Sequence, residues 1–242
     1  MVSSEDGQRE DRVPDRELAR EAADRVPGSA LSARLYDPVL WWGERTGLAR
    51  NRARLLAGAS GEVIEVGAGT GLNLRHYSPE LVSRLVLIEP EAHKAAILTD
   101  RCRESEIEAE VVRAPASMLP FADASFDTAV VTLCFCTVPD PLDSMAELAR
   151  VLRPDGQLLF MEHIRSDRPW LGPVQDFLRA PWARLADGCQ CNRRTLDLLR
   201  QNGWEVEVLH TADGPLMPPV ARPIVSGRAR RSPRLVAGGQ AS

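Results

Sequence analysis

Glu65-Val66-Gly67-Ala68-Gly69-Thr70-Gly71 closes an apolar run that begins at Val63, and it decides the fold of this chain. Glycines at alternate positions let the backbone turn sharply at the end of a strand and pass close to a bound nucleotide. A dinucleotide loop of the G-x-G-x-x-G/A kind needs a small residue at position 72, and this chain has Leu72, which speaks against a nicotinamide-dependent oxidoreductase. Glu65, two residues before the first glycine, suits a ligand with a cationic amino-acid end and no pyrophosphate.

Outward from this loop, short apolar runs alternate with amphipathic ones from Gly61 to about His163, the pattern of βαβ units around a parallel sheet. Val63 to Val66, Leu85 to Ile88, Val111 to Val112, Thr128 to Leu133 and Leu158 to Met161 read as five parallel strands, apolar because helices cover both faces. The fold class is therefore α/β, with a doubly wound sheet. Asp140-Pro141 predicts an N-cap followed by proline in the first helical turn, and Pro154-Asp155-Gly156 a stop. A helix over Arg193 to Gln201 and a strand over Glu205 to Leu209 follow. Leu31 to Ala57, with Leu35, Val39, Leu40, Trp41 and Trp42, predicts a helical cap over one end of the sheet. Residues 1–28 are charged and poor in large apolar side chains, and read as a disordered arm, in part helical. The domain is expected over 29–230; the chain after Arg228 reads as the start of a disordered basic tail, with residues 231–242 outside the domain.

Glu89, in Leu87-Ile88-Glu89-Pro90, lies 22 residues after Gly67. A separation of about 20 places an acid at the end of the second strand, where it accepts from ribose hydroxyls in doubly wound sheets. The alternative is a solvated strand-end carboxylate.

The pattern E-x-G-x-G-x-G from Glu65 to Gly71 resembles the first motif of the class I S-adenosylmethionine-dependent methyltransferases. The resemblance implies a Rossmann-like sheet of seven strands, the five above plus C-terminal ones, with S-adenosylmethionine as cofactor. It assigns Glu65, Gly67, Ala68, Gly69, Gly71 and Asn73 to the cofactor's amino-acid side, and Glu89 and Pro90 to the ribose. Ala114-Pro115-Ala116-Ser117-Met118-Leu119-Pro120-Phe121, followed by Ser125-Phe126-Asp127, is similar to the adenine segment of that family. Pro115 stands where the family has an adenine-binding Asp, so the resemblance leaves adenine to Ala116, Ser117 and apolar packing. Leu133 and Cys134, after the fourth strand, fall where the family contacts the cofactor's amino-acid end and begins the acceptor pocket.

From Glu147 onward the chain resembles a narrower group, the alkyl-thiol S-methyltransferases and their bacterial relatives. The residues that carry this are Phe160-Met161-Glu162-His163, Trp170, Gln175-Asp176, Pro181-Trp182, Asp187-Gly188-Cys189, Arg194-Thr195, Gly203-Trp204 and Arg222-Pro223. Residues 35–230 are covered. The implied acceptor is a small lipophilic thiol; oxygen, nitrogen or carbon acceptors on polyketides, phospholipids or quinones are alternatives. Animal members carry an apolar N-terminal anchor where this chain has its charged arm.

A free thiol has a pKa near 8.5, so a thiol acceptor requires help in reaching the thiolate. His163, Asp187 and Asp176 are the candidates for proton transfer; a lone histidine at a strand end is more often a structural hydrogen-bonding residue, and Asp187-Gly188 reads also as a simple turn. Trp41, Trp42, Trp170 and Trp182 are candidates for an apolar acceptor pocket or plain core. A binding protein without catalysis is the remaining class, and would show a sealed acceptor pocket.

Composition narrows the partners. A net charge of -4 without a basic stripe excludes affinity built on nucleic-acid phosphates. Lys94 is the single lysine among 30 Lys+Arg residues, an arginine bias that points to a GC-rich bacterial genome. The N-terminal residues show no secretory signal and no stretch approaches about 18 apolar residues, so a cytoplasmic protein without an integral membrane segment is expected. Five cysteines, Cys102, Cys134, Cys136, Cys189 and Cys191, read as free thiols. Their C-x-C pairs lack the C-x2-4-C spacing of structural zinc, so no metal is expected.

Overall fold

The computed structural model describes residue 13, residues 15–213 and residues 217–232. Seven strands form one sheet in the order β3-β2-β1-β4-β5-β7-β6. These are β1 Gly61–Val66, β2 Val82–Ile88, β3 Ala109–Val112, β4 Phe126–Thr132, β5 Leu152–His163, β6 Trp204–Asp213 and β7 Pro223–Arg231. β1 to β5 run parallel, and β7 lies antiparallel between β5 and β6. The expected α/β architecture is present, with all five parallel strands where the apolar runs place them.

Helices cover both faces, as a parallel sheet requires. On one face Ile64, Val66, Val86, Ile88, Val131 and Phe160 pack with Met145 and Leu148 of α5 (Pro141–Val151) and Leu199 of α7 (Thr195–Gln201). On the other, Val63, Leu85, Leu87 and Val130 pack with Leu55 and Leu56 of α3 (Ala49–Leu56) and Leu98 of α4 (Ala92–Arg103). The one-residue alternation along each strand sends neighbours to opposite cores. Asp140 caps α5 through the amides of Leu142 and Asp143, with Pro141 in the first turn, as its sequence predicts.

The cap is α2 (Ala30–Gly43), joined to α3 by a π turn over Glu44–Leu48 that kinks at Gly47. Of the apolar cap residues, the side chains of Val39, Leu40 and Trp42 fall outside the described residues. Within the segment read as an arm, Arg16–Asp24 forms helix α1, with Asp15 accepting from the Glu17 amide and Ala19 and Ala23 fully buried. Ala19 belongs to the core cluster that holds Val86 and Ile88, so this part of the chain is packed, not the disordered arm that its charged composition suggests.

A second segment differs from its expected reading. The sequence after Arg228 reads as the start of a tail, yet it continues β7 to Arg231. Ala229 is buried while Arg228 and Arg230 are exposed, the period-two pattern of a strand that covers one face only, hidden by its arginine content. The rest of the tail, from 233, lies outside the described residues.

The sequence between β5 and α7 also holds α6, Leu171–Leu185. Among the described residues no helix is long and apolar enough to cross a membrane.

Candidate functional site

The strand order reverses between β1 and β4, and in open α/β sheets ligands bind outside the carboxyl ends of the strands at that point. Four chain segments converge there: the glycine loop after β1, the end of β2, the loop after β4 and the end of β5.

Gly67, Gly69 and Gly71 have φ of 73°, 58° and 89°, values that favour glycine. The Gly67 and Ala68 amides donate to the Ile88 carbonyl at 2.9 Å, folding the loop across the end of β2. A Cβ on Gly67 would stand 2.4 Å from Cys134 Sγ, so this loop and the loop after β4 touch. Beside Gly69 the nearest atom to such a Cβ is Tyr36 Cε1, at 3.7 Å. The backbone is therefore open on the Gly69 side, as close approach of a ligand requires.

Glu89 lies at the end of β2, buried, with Oε2 accepting from the Gly69 amide at 2.8 Å and Oε1 from the Glu91 amide at 3.0 Å. Burial raises its pKa, against the pull of the Glu91 amide, Lys94 and the Gly69 amide. Each carboxylate oxygen has a second lone pair to offer a ribose hydroxyl. Glu65 is buried at the end of β1. Asn73 Nδ2 donates to one oxygen at 2.8 Å and Tyr77 to the other at 2.6 Å, so this carboxylate holds the loop together from below. Arg52, 4% exposed, completes the network, donating to Glu44, to Asn73 Oδ1 and to Thr132 Oγ1.

Two residues of α2 complete this side, and neither is signalled by local sequence. Asp37 accepts from Thr70 Oγ1 at 2.5 Å and pairs with Arg101, fastening the cap to the glycine loop. Tyr36 lies under Lys94, whose Nζ is 4.7 Å from the ring centroid, and Lys94 in turn pairs with Asp187. Burial raises the Tyr36 phenol well above its usual value.

The segment from Ala114 to Phe121 turns at Pro115, whose carbonyl accepts from the Met118 amide at 3.0 Å. Ala116 is nearly buried and Ser117 exposed. Glu147 accepts from the Leu119 amide at 2.7 Å, and Arg150 donates to the carbonyls of Leu119 and Phe121, so α5 holds the segment.

At the end of β5, Glu162 is fully buried, and its carboxylate receives the amides of Cys134, Phe135 and Cys136 at 2.9 to 3.0 Å. Burial pushes its pKa up to about 7 against those three amides. This carboxylate shapes the loop after β4, where Leu133 has a φ of 55°. A charged residue within the apolar run of β5 is its signal in the sequence, because burying an unpaired carboxylate is costly.

His163 follows, 6% exposed, with Nδ1 3.5 Å from Cys189 Sγ and 3.9 Å from Cys136 Sγ. The other nitrogen, Nε2, is buried without a partner. Cys136 Sγ donates to the Leu133 carbonyl at 3.5 Å, and the two neighbouring thiols are pushed in opposite directions, Cys136 up by Cys189 and burial, Cys189 down by Cys136 and nearby His163. The loop carrying Cys189 is pinned by the Gln190 amide, which donates to the Cys136 carbonyl at 2.7 Å. Asp187, with φ 50°, is half exposed in that same loop. Asp176 belongs to another group of contacts: on exposed α6 it forks with Arg165 and accepts from Asn192, which hold its pKa low and make it a poor proton acceptor. Trp41 and Trp170 are 45% and 61% exposed, so neither is core.

Residues 64–160 match the family described as "Methyltransferase domain". The chain is 34% identical to the human thiol S-methyltransferase TMT1A over 179 residues, 72% of each chain. The chain belongs to the class I S-adenosylmethionine-dependent methyltransferases. A second human relative, thiol S-methyltransferase TMT1B, is 36% identical over 146 residues, and the match spans 58% of this methyltransferase and 59% of the relative. Among solved structures, an S-adenosylmethionine-dependent methyltransferase from Thermotoga maritima, described as a possible histamine N-methyltransferase, aligns with a TM-score of 0.61 at 20% identity. That alignment covers 84% of this chain and 99% of the other, and it shows the fold.

The residues present fit the family's cofactor. The open backbone at Gly69 with the buried acid Glu89 beside it forms a cradle of the kind a nucleoside requires.

Proposed function

We propose that this methyltransferase acts on the sulfur of a small, lipophilic thiol. The observation that carries the reading is the 34% identity to thiol S-methyltransferase TMT1A, which extends past the matched domain over 179 residues. S-adenosylmethionine supplies, when bound, a methyl group on an electrophilic sulfonium. The chain has then to hold the nucleophile behind the methyl carbon and keep water away, because an in-line displacement gains most from positioning.

Glu89 and the glycine loop hold the nucleoside; Pro90, Ala116 and Ser117 flank it, and Leu133 and Cys134 border the amino-acid end. A thiol near pKa 8.5 is mostly protonated at neutral pH. This reading gives the stabilisation of its thiolate to His163, buried at the strand ends beside the sulfurs of Cys136 and Cys189. Asp187, tied to Lys94 above the Tyr36 ring, closes the cap over this end. Asp176 fixes α6 through Arg165.

The test is methyl transfer from labelled cofactor to a panel of lipophilic thiols, phenols and amines of matched size. Thiols are expected to show the highest kcat/KM, by at least tenfold. Equal or greater turnover of phenols or amines overturns the thiol reading.

A further inference from the structure

Three side chains from separate parts of the chain meet at the carboxyl ends of β4 and β5: Cys136, His163 and Cys189, all buried, with Sγ, Nδ1 and Sγ within 4.8 Å of one another. Tetrahedral zinc, with bonds of about 2.3 Å to sulfur and 2.0–2.1 Å to nitrogen, sets its donor atoms about 3.6 Å apart for sulfur and nitrogen. The two sulfur-to-Nδ1 distances are 3.5 and 3.9 Å.

Hydrogen bonding alone serves this cluster poorly. One imidazole nitrogen faces two sulfurs, and a neutral ring has a single lone pair there with which to accept. Thiols are weak donors, and the Cys136 thiol is shared among Nδ1, the Leu133 carbonyl and the Thr137 hydroxyl, at 3.9, 3.5 and 3.7 Å. A cation that takes one lone pair from each of the three atoms would use all of them at once. The donor set is soft, two sulfurs and an imidazole, which selects zinc over magnesium or calcium. Glu162 shapes the backbone around Cys136, and the Gln190 amide fixes the loop of Cys189 to it, so two of the three ligand-bearing segments are already held together.

We propose that Cys136, His163 and Cys189 form a zinc site whose fourth position takes the sulfur of the acceptor thiol. The metal site stands on its own geometry; its use by the acceptor rests on the thiol reading above. Metal binding releases the thiol protons of the two cysteines to solvent. An acceptor thiol that ligates zinc loses its own proton to solvent, since a coordinating thiol is deprotonated. A lone pair on that sulfur then forms the new bond to the methyl carbon, and the electrons of the breaking carbon–sulfur bond return to the cofactor's sulfur. The products are a neutral methyl thioether, which binds zinc less well than the thiolate, and S-adenosylhomocysteine. This site differs from a set made of both C-x-C pairs: it takes one cysteine from each and a histidine far from either in sequence.

The experiment loads the full chain, purified without a metal-affinity tag and kept reduced, with zinc alone and separately with cobalt(II). Bound metal is counted by elemental analysis and by the thiolate-to-cobalt absorption. One metal per chain is expected for the parent and for Cys191→Ser, with loss in Cys136→Ser and in Cys189→Ser. Retained binding of S-adenosylhomocysteine establishes that each variant is folded. Adding a lipophilic thiol is expected to change the cobalt spectrum of the parent, and this readout needs no turnover. If the parent binds S-adenosylhomocysteine but takes up neither metal, the site is refuted. Loss of metal in Cys191→Ser refutes the open fourth position, because Cys191 would then fill it. A normal metal count with no spectral response to thiols, alongside thiol turnover, refutes the acceptor's role but leaves the thiol reading intact. A normal metal count without thiol turnover refutes that reading and leaves the metal site.

Discussion

Glu89 Oε2 accepts from the Gly69 amide at 2.8 Å, so the end of β2 and the loop after β1 are joined by a buried, charge-assisted hydrogen bond. The carboxylate is thus positioned, with lone pairs to spare, before a nucleoside reaches it.

Glu89→Ala is expected to weaken S-adenosylhomocysteine by about 10- to 100-fold, since hydrogen bonds to a charged group contribute about 1.5–3 kcal/mol. Calorimetric titration measures it. Unchanged affinity in a variant with the parent's Tm would remove Glu89 from the ribose site.

Gly67→Ala places a methyl group 2.4 Å from Cys134 Sγ on a backbone with φ of 73°. The left-handed conformation alone costs about 1–2 kcal/mol for a residue with a Cβ, and the contact adds to it. Denaturant unfolding should show a loss of at least about 2 kcal/mol. The same change at Gly58, where a Cβ would meet Leu55 O at 3.4 Å, serves as the comparison and should cost far less.

Glu162→Gln keeps the shape of the side chain and loses an acceptor. An amide NH2 would then face at least one of the Cys134, Phe135 and Cys136 amides. An unsatisfied buried donor costs about 1–3 kcal/mol, so the variant should unfold at lower denaturant. Parent-like stability would show that the three amides do not depend on a full carboxylate.

Glu91 caps α4 through the amides of His93 and Lys94. Burial alone would raise its pKa, but those amides and the His93 ring outweigh it, and the folded value is lowered. A carboxyl with a depressed folded pKa stabilises the protein above its unfolded value, about 4.3, and that contribution disappears as pH falls through the folded value. Glu91→Ala should therefore lower stability by about 1 kcal/mol at pH 7. The gap from the parent should close below about pH 4, and thermal unfolding across pH follows it. A gap constant down to pH 2 would show that the cap contributes nothing through its charge.

Much of the geometry around the glycine loop was legible in the sequence because its rules are local. The spacing of Gly67, Gly69 and Gly71 constrains the backbone within a single turn, and Glu89 follows from the length of one βα unit. Glu65 illustrates the limit: its place in the motif pointed to the ligand and gave no sign that its two oxygens also accept from Asn73 and Tyr77. Asp176 is a second case, since an acid in a motif gives no sign that an arginine eleven residues earlier will hold it ionised.

The sequence by itself determined the parallel sheet and the loop that turns at its switch point, for each rests on periodicity or spacing within tens of residues, while the class of enzyme followed from the resemblance of Glu65 to Gly71 to the first motif of a known family. Only the tertiary structure decided that β7 enters between β5 and β6, that Tyr36 and Asp37 of the cap reach the glycine loop, and that Cys136, His163 and Cys189 meet. The physical reason is the sheet itself. Parallel pairing sets the carboxyl ends of successive strands side by side, so residues that share no local pattern are brought together by strand order and by the packing of the loops above it.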